Sequence, residues 1–262
     1  METEFSPDNK KNVLRLALFI GELMLVNGAE TYRVEDTILR ICKSRNYCHI
    51  NVFTSPTVII ISDYRFDGYS FMRTIKNRSI DLNKISLLNS FSREFVSNKD
   101  LSVQDAIKEL KKIVHKTSYS HLIVSFSTGI GSAAFAALLE GNNLPTFIST
   151  FITSIVAVMI YNKIMKVSAI PAFSSFIASI FIATIGAVLS QIGVLSTPAL
   201  LIVGSIMPLL PGVSFIKGLR DLIAGDLISG VARAFDAGVT AISIACGVGV
   251  ILDIWLRLGG KL

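Results

Sequence analysis

Polar and apolar positions change rhythm three times along the chain. Over residues 12–27 an apolar stretch is interrupted by Arg15 and Glu22, and over 31–45 Val34, Ile38 and Ile41 hold a helical period. The period then shortens. Residues 50–53, 57–61 and 69–75 are short β-rich runs, separated by the turn signals Ser55-Pro56 and Asp67-Gly68, and predict a small antiparallel sheet. Helical spacing returns over 81–97 and 102–116. The second of these opens on Ser102, a good N-cap, with Asp105 three residues on. The predicted order is α-α-β-β-β-α-α.

Beyond residue 117 the pattern is different in kind. Residues 117–139 contain no Asp, Glu, Lys or Arg for 23 positions, 141–162 for 22, and 167–216 for 50. A helix crosses the hydrocarbon core with about 20 apolar residues, so the longest run holds two crossings, turning near Gly193–Pro198. The predicted spans are 120–139, 144–161, 171–192, 198–216 (broken) and 228–256. The expected fold is therefore a soluble α+β domain over 1–118, then an α-helical integral membrane domain of about five transmembrane helices over 119–262.

Charge sharpens this division. Residues 1–120 carry 18 of the 25 Lys+Arg and 14 of the 19 Asp+Glu, against 7 and 5 in the remainder. Only 17% of the chain is charged, where a soluble protein has about a quarter. The basic excess suits a domain facing anionic lipid. No aromatic-interleaved basic run points to nucleic acid. Lys108, Lys111, Lys112 and Lys116 precede the first span, and Lys163 and Lys166 separate the second from the third. The positive-inside rule then places the soluble domain in the cytoplasm, the loop 140–143 outside, and the C-terminus, with Arg257 and Lys261, outside. Cys42, Cys48 and Cys246 are odd in number and lack metal-ligand spacing, which predicts buried, reduced thiols.

Three features in the apolar half carry candidate chemistry. Pro208 and Pro211-Gly212 interrupt an apolar run, so a continuous helix there is disfavoured. Broken helices build binding sites in transporters, because half-helix N-termini attract carboxylates; a plain kink is the alternative. Lys217, Arg220, Asp221 and Asp226 follow, as a functional segment or an interfacial loop. Asp226, Ser229, Arg233, Asp236, Thr240 and Ser243 then share about a third of a helix circumference. Such a stripe reads as a face on a polar pathway, or as an Arg233–Asp236 structural pair. Ser125, Gly129 and Ala133 repeat every four positions and predict close helix packing. In the soluble half the densest polar cluster is 28–36, where Glu30, Arg33 and Asp36 fall at i, i+3 and i+6 near a helix start, consistent with a cap. No nucleophile–base pair, nucleotide loop or cofactor motif stands out, which sets hydrolysis and ATP use aside.

The segments GELMLVNGAETYRVEDTILRI and MPLLPGVSFIKGLRDLIAGDLISGVARA resemble the threonine/serine exporter family, which also includes bacterial succinate exporters. The resemblance spans nearly the whole chain. It implies a multi-pass protein of the bacterial plasma membrane, acting as a secondary transporter of small carboxylate-bearing metabolites. It also implies a second, smaller membrane subunit or a homo-oligomer, since the family's full transporter resembles two membrane halves, fused or split. The site residues expected from motif and resemblance are Pro208, Pro211, Gly212, Ser214, Arg220, Asp221, Asp226, Arg233 and Asp236, with Glu22, Gly28, Glu30, Thr31, Arg33 and Glu35 in the soluble half. In that reading the half-helix after Gly212 holds a carboxylate, the aspartates take a proton or an amino group, and Arg220 and Arg233 balance charge. The rivals are a dicarboxylate exporter subunit, a membrane-anchored enzyme or sensor acting around Glu30 and Arg33, and an assembly subunit.

Overall fold

Residues 7–65, 68–76, 79–116, 119–140, 143–196 and 198–260 are described by a computed structural model. Contacts divide the chain into two units, residues 1–118 with 216–234, and residues 119–215 with 235–262.

The first unit is built from α1 (Pro7–Val26), α2 (Thr31–Ser44), β1 (Ile50–Ser55), β2 (Val58–Asp63), β3 (Ser70–Thr74), α3 (Leu82–Ser97) and α4 (Val103–His115), the order that periodicity predicts. The strands form one antiparallel sheet, β1-β2-β3, with Val52 opposite Ile61 and Ile61 opposite Phe71. On β2 alternate residues Ile59 and Ile61 are fully buried, as a one-sided sheet requires. They join Leu14, Ile20 and Met24 of α1, Val34, Ile38 and Ile41 of α2, and Phe91 and Phe95 of α3 in one core. The loop between β1 and β2 falls at Ser55-Pro56; of Asp67-Gly68, Asp67 lies outside the described residues. Ser102 caps α4, accepting from the Asp105 amide at 3.1 Å while its hydroxyl donates to the Asp105 carboxylate at 2.7 Å.

Cys42 belongs to this core, and burial pushes its thiol up to about 12. Cys48 and Cys246 are exposed, contrary to the expectation of buried thiols. Cys48 lies just before β1, and Cys246 points outward from an apolar helix.

The second unit contains α5 (His121–Glu140), α6 (Leu144–Ser168), α7 (Pro171–Gln191) and α8 (Ala199–Ile206), and most of α10 (Leu227–Arg257). After α8 a 3-10 turn over Met207–Leu209 leads to α9 (Gly212–Ile223), which bridges the two stretches of sequence. Among the described residues four helices are long and apolar enough to cross a membrane. The bent pair Ala199–Leu209 and Gly212–Ile223, with 54° between its halves, brings the number to five if it counts as one broken span. Outward residues are apolar, Leu122, Leu138, Val167 and Phe235 being largely exposed, as helices in lipid require. The small-residue repeat of α5 does pack closely. A side chain at Gly129 would collide with Ile155 of α6 at 2.8 Å, and Ala133 is fully buried.

One helix end departs from expectation. α6 does not stop at 161 but continues through Lys163 and Lys166 to Ser168, where Ala169 turns left-handed at φ 55°. Nothing in 162–168 breaks a helix, and lysines can extend their stems to the interface while the backbone stays helical.

Candidate functional site

Residues 21–41 and 216–234, which carry most of the resemblance, meet in the first unit. α1 ends in a Schellman turn, with the Gly28 amide donating to Leu25 at 3.0 Å and the Ala29 amide to Met24 at 2.9 Å. Gly28 has φ +88°, and a Cβ there would lie 2.9 Å from the Ser79 carbonyl and 3.2 Å from the Lys217 ammonium. Only glycine takes this conformation without strain. The turn thereby exposes the Gly28 and Ala29 carbonyls, the Glu30 carboxylate and the Thr31 amide in sequence. Each finds a partner in the hairpin 216–234.

The Lys217 ammonium donates to the Gly28 carbonyl. Arg233 Nη2 donates to the Ala29 carbonyl at 3.0 Å. Arg220 Nη1 meets Glu30 Oε1 at 2.8 Å, while Arg33 reaches Glu30 Oε2 at 3.3 Å. The Thr31 amide donates to Asp221 Oδ1 at 3.3 Å, and Asp221 Oδ2 meets Arg233 Nε at 3.0 Å. Glu30 occupies the N-cap position of α2 but makes no cap bond. Its carboxylate instead serves two arginines, so a simple capped helix start is not what the cluster forms. The Asp221–Arg233 pair is enclosed, the two side chains being 0% and 10% exposed. Arg220 is 62% exposed beside a Glu30 at 6%, so this pair has one wet and one dry member.

A second group of polar atoms adjoins. Glu35 Oε1 accepts from the Thr54 amide at 2.8 Å, and the Ser229 hydroxyl contacts the Thr54 carbonyl at 3.5 Å. Thr31 Oγ1, Thr54 Oγ1 and Asp226 Oδ2 are buried without a hydrogen-bond partner. Burial raises the Glu35 carboxyl above its ordinary range, the Thr54 amide opposes this, and the charge of Asp226 adds to it. Burial likewise raises Asp226, reinforced by Asp221. Glu35 and Asp226 thus hold a proton more readily than ordinary carboxyls do, beside a set of cations.

The remaining predicted residues fall elsewhere. Glu22 pairs with Arg73 at 2.8 Å and fastens α1 to β3. Pro208 lies in the 3-10 turn; Pro211 precedes α9, whose first turn holds Gly212 and Ser214, with the Phe215 amide donating to the Pro211 carbonyl at 2.9 Å. Asp236 is in the second unit with an exposed side chain. The polar stripe of α10 therefore divides. Ser229 and Arg233 belong to the cluster, whereas Thr240 and Ser243 donate to the Asp236 and Val239 carbonyls of their own helix, each at 2.9 Å. Lys217 was visible as a charge, four positions before Asp221 on the same helix face. Thr54 carried no sequence signal, because only the path of β1 brings it near α10.

Comparison with known proteins identifies the family. Residues 15–255 match the threonine/serine exporter family. "Probable succinate transporter subunit YjjP" of Escherichia coli (strain K12) is 23% identical over 256 residues, 97% of this chain and 98% of the relative. Its namesake from Klebsiella aerogenes is 23% identical over 249 residues, 94% and 95% of the two chains. "Probable threonine/serine exporter" of Mycobacterium tuberculosis is 24% identical over 244 residues, which are 91% of this chain but 45% of that protein. No solved structure matches. With a family match over most of its length and at least four helices apolar and long enough to cross a membrane among the described residues, this chain is a multi-pass membrane protein that belongs to the threonine/serine exporter family.

Proposed function

We propose that the chain is one half of a proton-coupled secondary transporter that exports small carboxylate-bearing metabolites across the bacterial plasma membrane. The observation that carries this reading is the ionic cluster at the Gly28–Thr31 turn. Lys217, Arg33, Arg220 and Arg233 face the carboxylates of Glu30 and Asp221, with Asp226 and Glu35 held toward their neutral forms. A surplus of cations beside protonatable carboxyls is what coupling a proton to an anion requires. Arg220, the wet member of its pair, can exchange Glu30 for a substrate carboxylate. Asp226, with a buried oxygen that makes no hydrogen bond, is the group that takes the proton.

The half-transporter part rests on the extent and names of the relatives. The chain spans under half of the mycobacterial exporter and nearly all of a protein whose name includes the word subunit. α10 also buries only 17% of its most apolar window, leaving room for neighbouring helices. The soluble part of the first unit faces the cytoplasm in this reading, as the basic residues of α4 and of the end of α6 favour.

The test is efflux of labelled threonine, serine and succinate from cells carrying the chain alone, a smaller multi-span companion alone, or both. Efflux with both and little with either is expected. Full transport by the purified, reconstituted chain would refute the half-transporter reading in favour of a homo-oligomer. Unchanged efflux in every arm would refute export of these metabolites.

A further inference from the structure

α4 divides its residues by face. Ala106 and Leu110 are fully buried in the core of the first unit, and Val103, Ile107 and Ile113 pack beside them. Lys108, Lys111, Lys112 and His115 fall within about 100° of arc on the opposite side, and all four are exposed. The C-cap residue, Lys116, is exposed as well. Both acidic residues of the helix, Asp105 and Glu109, precede Lys111, so its last turn and a half carries positive charge alone.

Other cations of this unit are matched. Arg40 pairs with Asp36, Arg65 with Asp63 and Arg73 with Glu22, while Arg45 donates to the carbonyls of Asn98, Lys99 and Leu101. On α4, Lys108 pairs with Asp105 at 3.0 Å. Among the described residues Lys111, Lys112 and Lys116 have no acidic partner.

The unmatched end is tied to the bilayer by the chain itself. The first apolar crossing begins at Leu122, seven positions after His115. Even fully extended, that length spans at most about 25 Å, which bounds the distance from the end of α4 to the hydrocarbon. Tyr119, 73% exposed within this stretch, is a residue type that favours the headgroup level. A basic face held this close to a bilayer is drawn to anionic lipid, each lysine strengthening the contact about fivefold. We infer that the basic stripe of α4 is a docking surface for anionic phospholipid headgroups, which lays this helix along the bilayer surface. The inference is independent of what the membrane half transports. Basic residues in a last turn also offset the helix dipole, but that effect is internal to the helix and indifferent to lipid.

The test uses the full chain with the exposed Cys48 and Cys246 changed to serine and Gln104→Cys introduced; Cys42 is buried and stays unlabelled. Gln104 is exposed on the same side of α4, at the end away from the unmatched lysines, so a fluorophore there meets headgroups only if the helix lies flat. The labelled protein is reconstituted into phosphatidylcholine vesicles with or without phosphatidylglycerol, each carrying a trace of lipid with a quencher on its headgroup. Quenching should be stronger with phosphatidylglycerol, and the excess should fade in about 1 M salt, where the screening length is about 3 Å. Changing Lys111, Lys112 and Lys116 together to glutamine should weaken the contact ~100-fold and remove the excess, whereas changing all three to arginine should keep it. The salt series uses the native lysines, so it decides the matter even if the glutamine variant folds poorly. Equal quenching in the two kinds of vesicle, or an excess that survives either the salt or the glutamine changes, overturns the inference. A response of the probe to a soluble polyanion, without any preference between the vesicles, would assign the stripe to an acidic macromolecule and overturn it as well.

Discussion

The Asp221–Arg233 pair allows the cluster to be tested quantitatively. Asp221→Asn keeps the volume and an oxygen for the Thr31 amide, 3.3 Å away, but removes the charge facing Arg233 Nε. The guanidinium is then left as a nearly buried cation that still donates to the Ala29 carbonyl but no longer faces the Asp221 charge. Breaking one side of such a pair costs about 3–5 kcal/mol. At roughly 2–4 °C per kcal/mol for a chain of this size, the melting temperature should fall by about 6–20 °C. Arg233→Met alone leaves the Asp221 carboxylate enclosed and should cost a similar amount. The double variant replaces the pair by neutral groups of similar bulk and should recover most of the loss, since apolar replacement of a buried pair is often neutral. The assay is thermal unfolding of the purified full chain followed by far-UV circular dichroism, because the single tryptophan, Trp255, lies in the other unit. Additive losses within about 0.5 kcal/mol would show that the two residues do not act as a pair and would refute the argument.

Four further outcomes follow from the same geometry. Asp226→Asn should express and assemble normally yet abolish proton-driven efflux, because an amide does not titrate; normal transport would remove Asp226 from the coupling step. Glu35 and Asp226 have raised carboxyl pKa values in the folded chain, so their contribution to stability is complete below the ordinary carboxylate range and is lost as pH rises through the raised values. Glu35→Gln with Asp226→Asn should therefore flatten the fall in melting temperature as pH rises above the ordinary carboxylate range, and an unchanged slope would contradict it. Gly28→Ala places a Cβ 2.9 Å from the Ser79 carbonyl at φ +88°, and should cost at least about 1–2 kcal/mol in the same melting assay. In a background lacking the exposed Cys48 and Cys246, Asn98→Cys should resist an impermeant thiol reagent in intact cells while Ser196→Cys reacts, and the opposite pattern would reverse the topology.

The elements themselves were largely legible from local pattern. Alternation at β2, the 3.6-residue period of α2, the Ser102 cap and the two prolines of the broken span each act over a few residues, and the chain obeys them. The end of α6 was misjudged because lysines stop an apolar run without stopping a helix. The candidate site was legible only as two separate segments. Glu30 looked like a helix cap and Arg220 like a loop charge. Their pairing spans 190 residues and depends on the turn at Gly28 and on the return of the hairpin 216–234. No spacing rule reaches that far.

The sequence distance within this pairing also bears on biosynthesis. The Gly28–Thr31 turn leaves the ribosome early, while Lys217, Arg220, Asp221 and Arg233 follow 189–204 residues later. At about 5–20 residues per second, the turn waits roughly 10–40 s for its partners. During that interval the helices from α5 to α8 must enter the bilayer. The Gly28 and Ala29 carbonyls and the Thr31 amide lack these partners until they have done so. Completion of the N-terminal unit thus reports that insertion has succeeded. A nascent chain stalled in the membrane presents an unfinished ionic pocket to the proteases and chaperones that survey it.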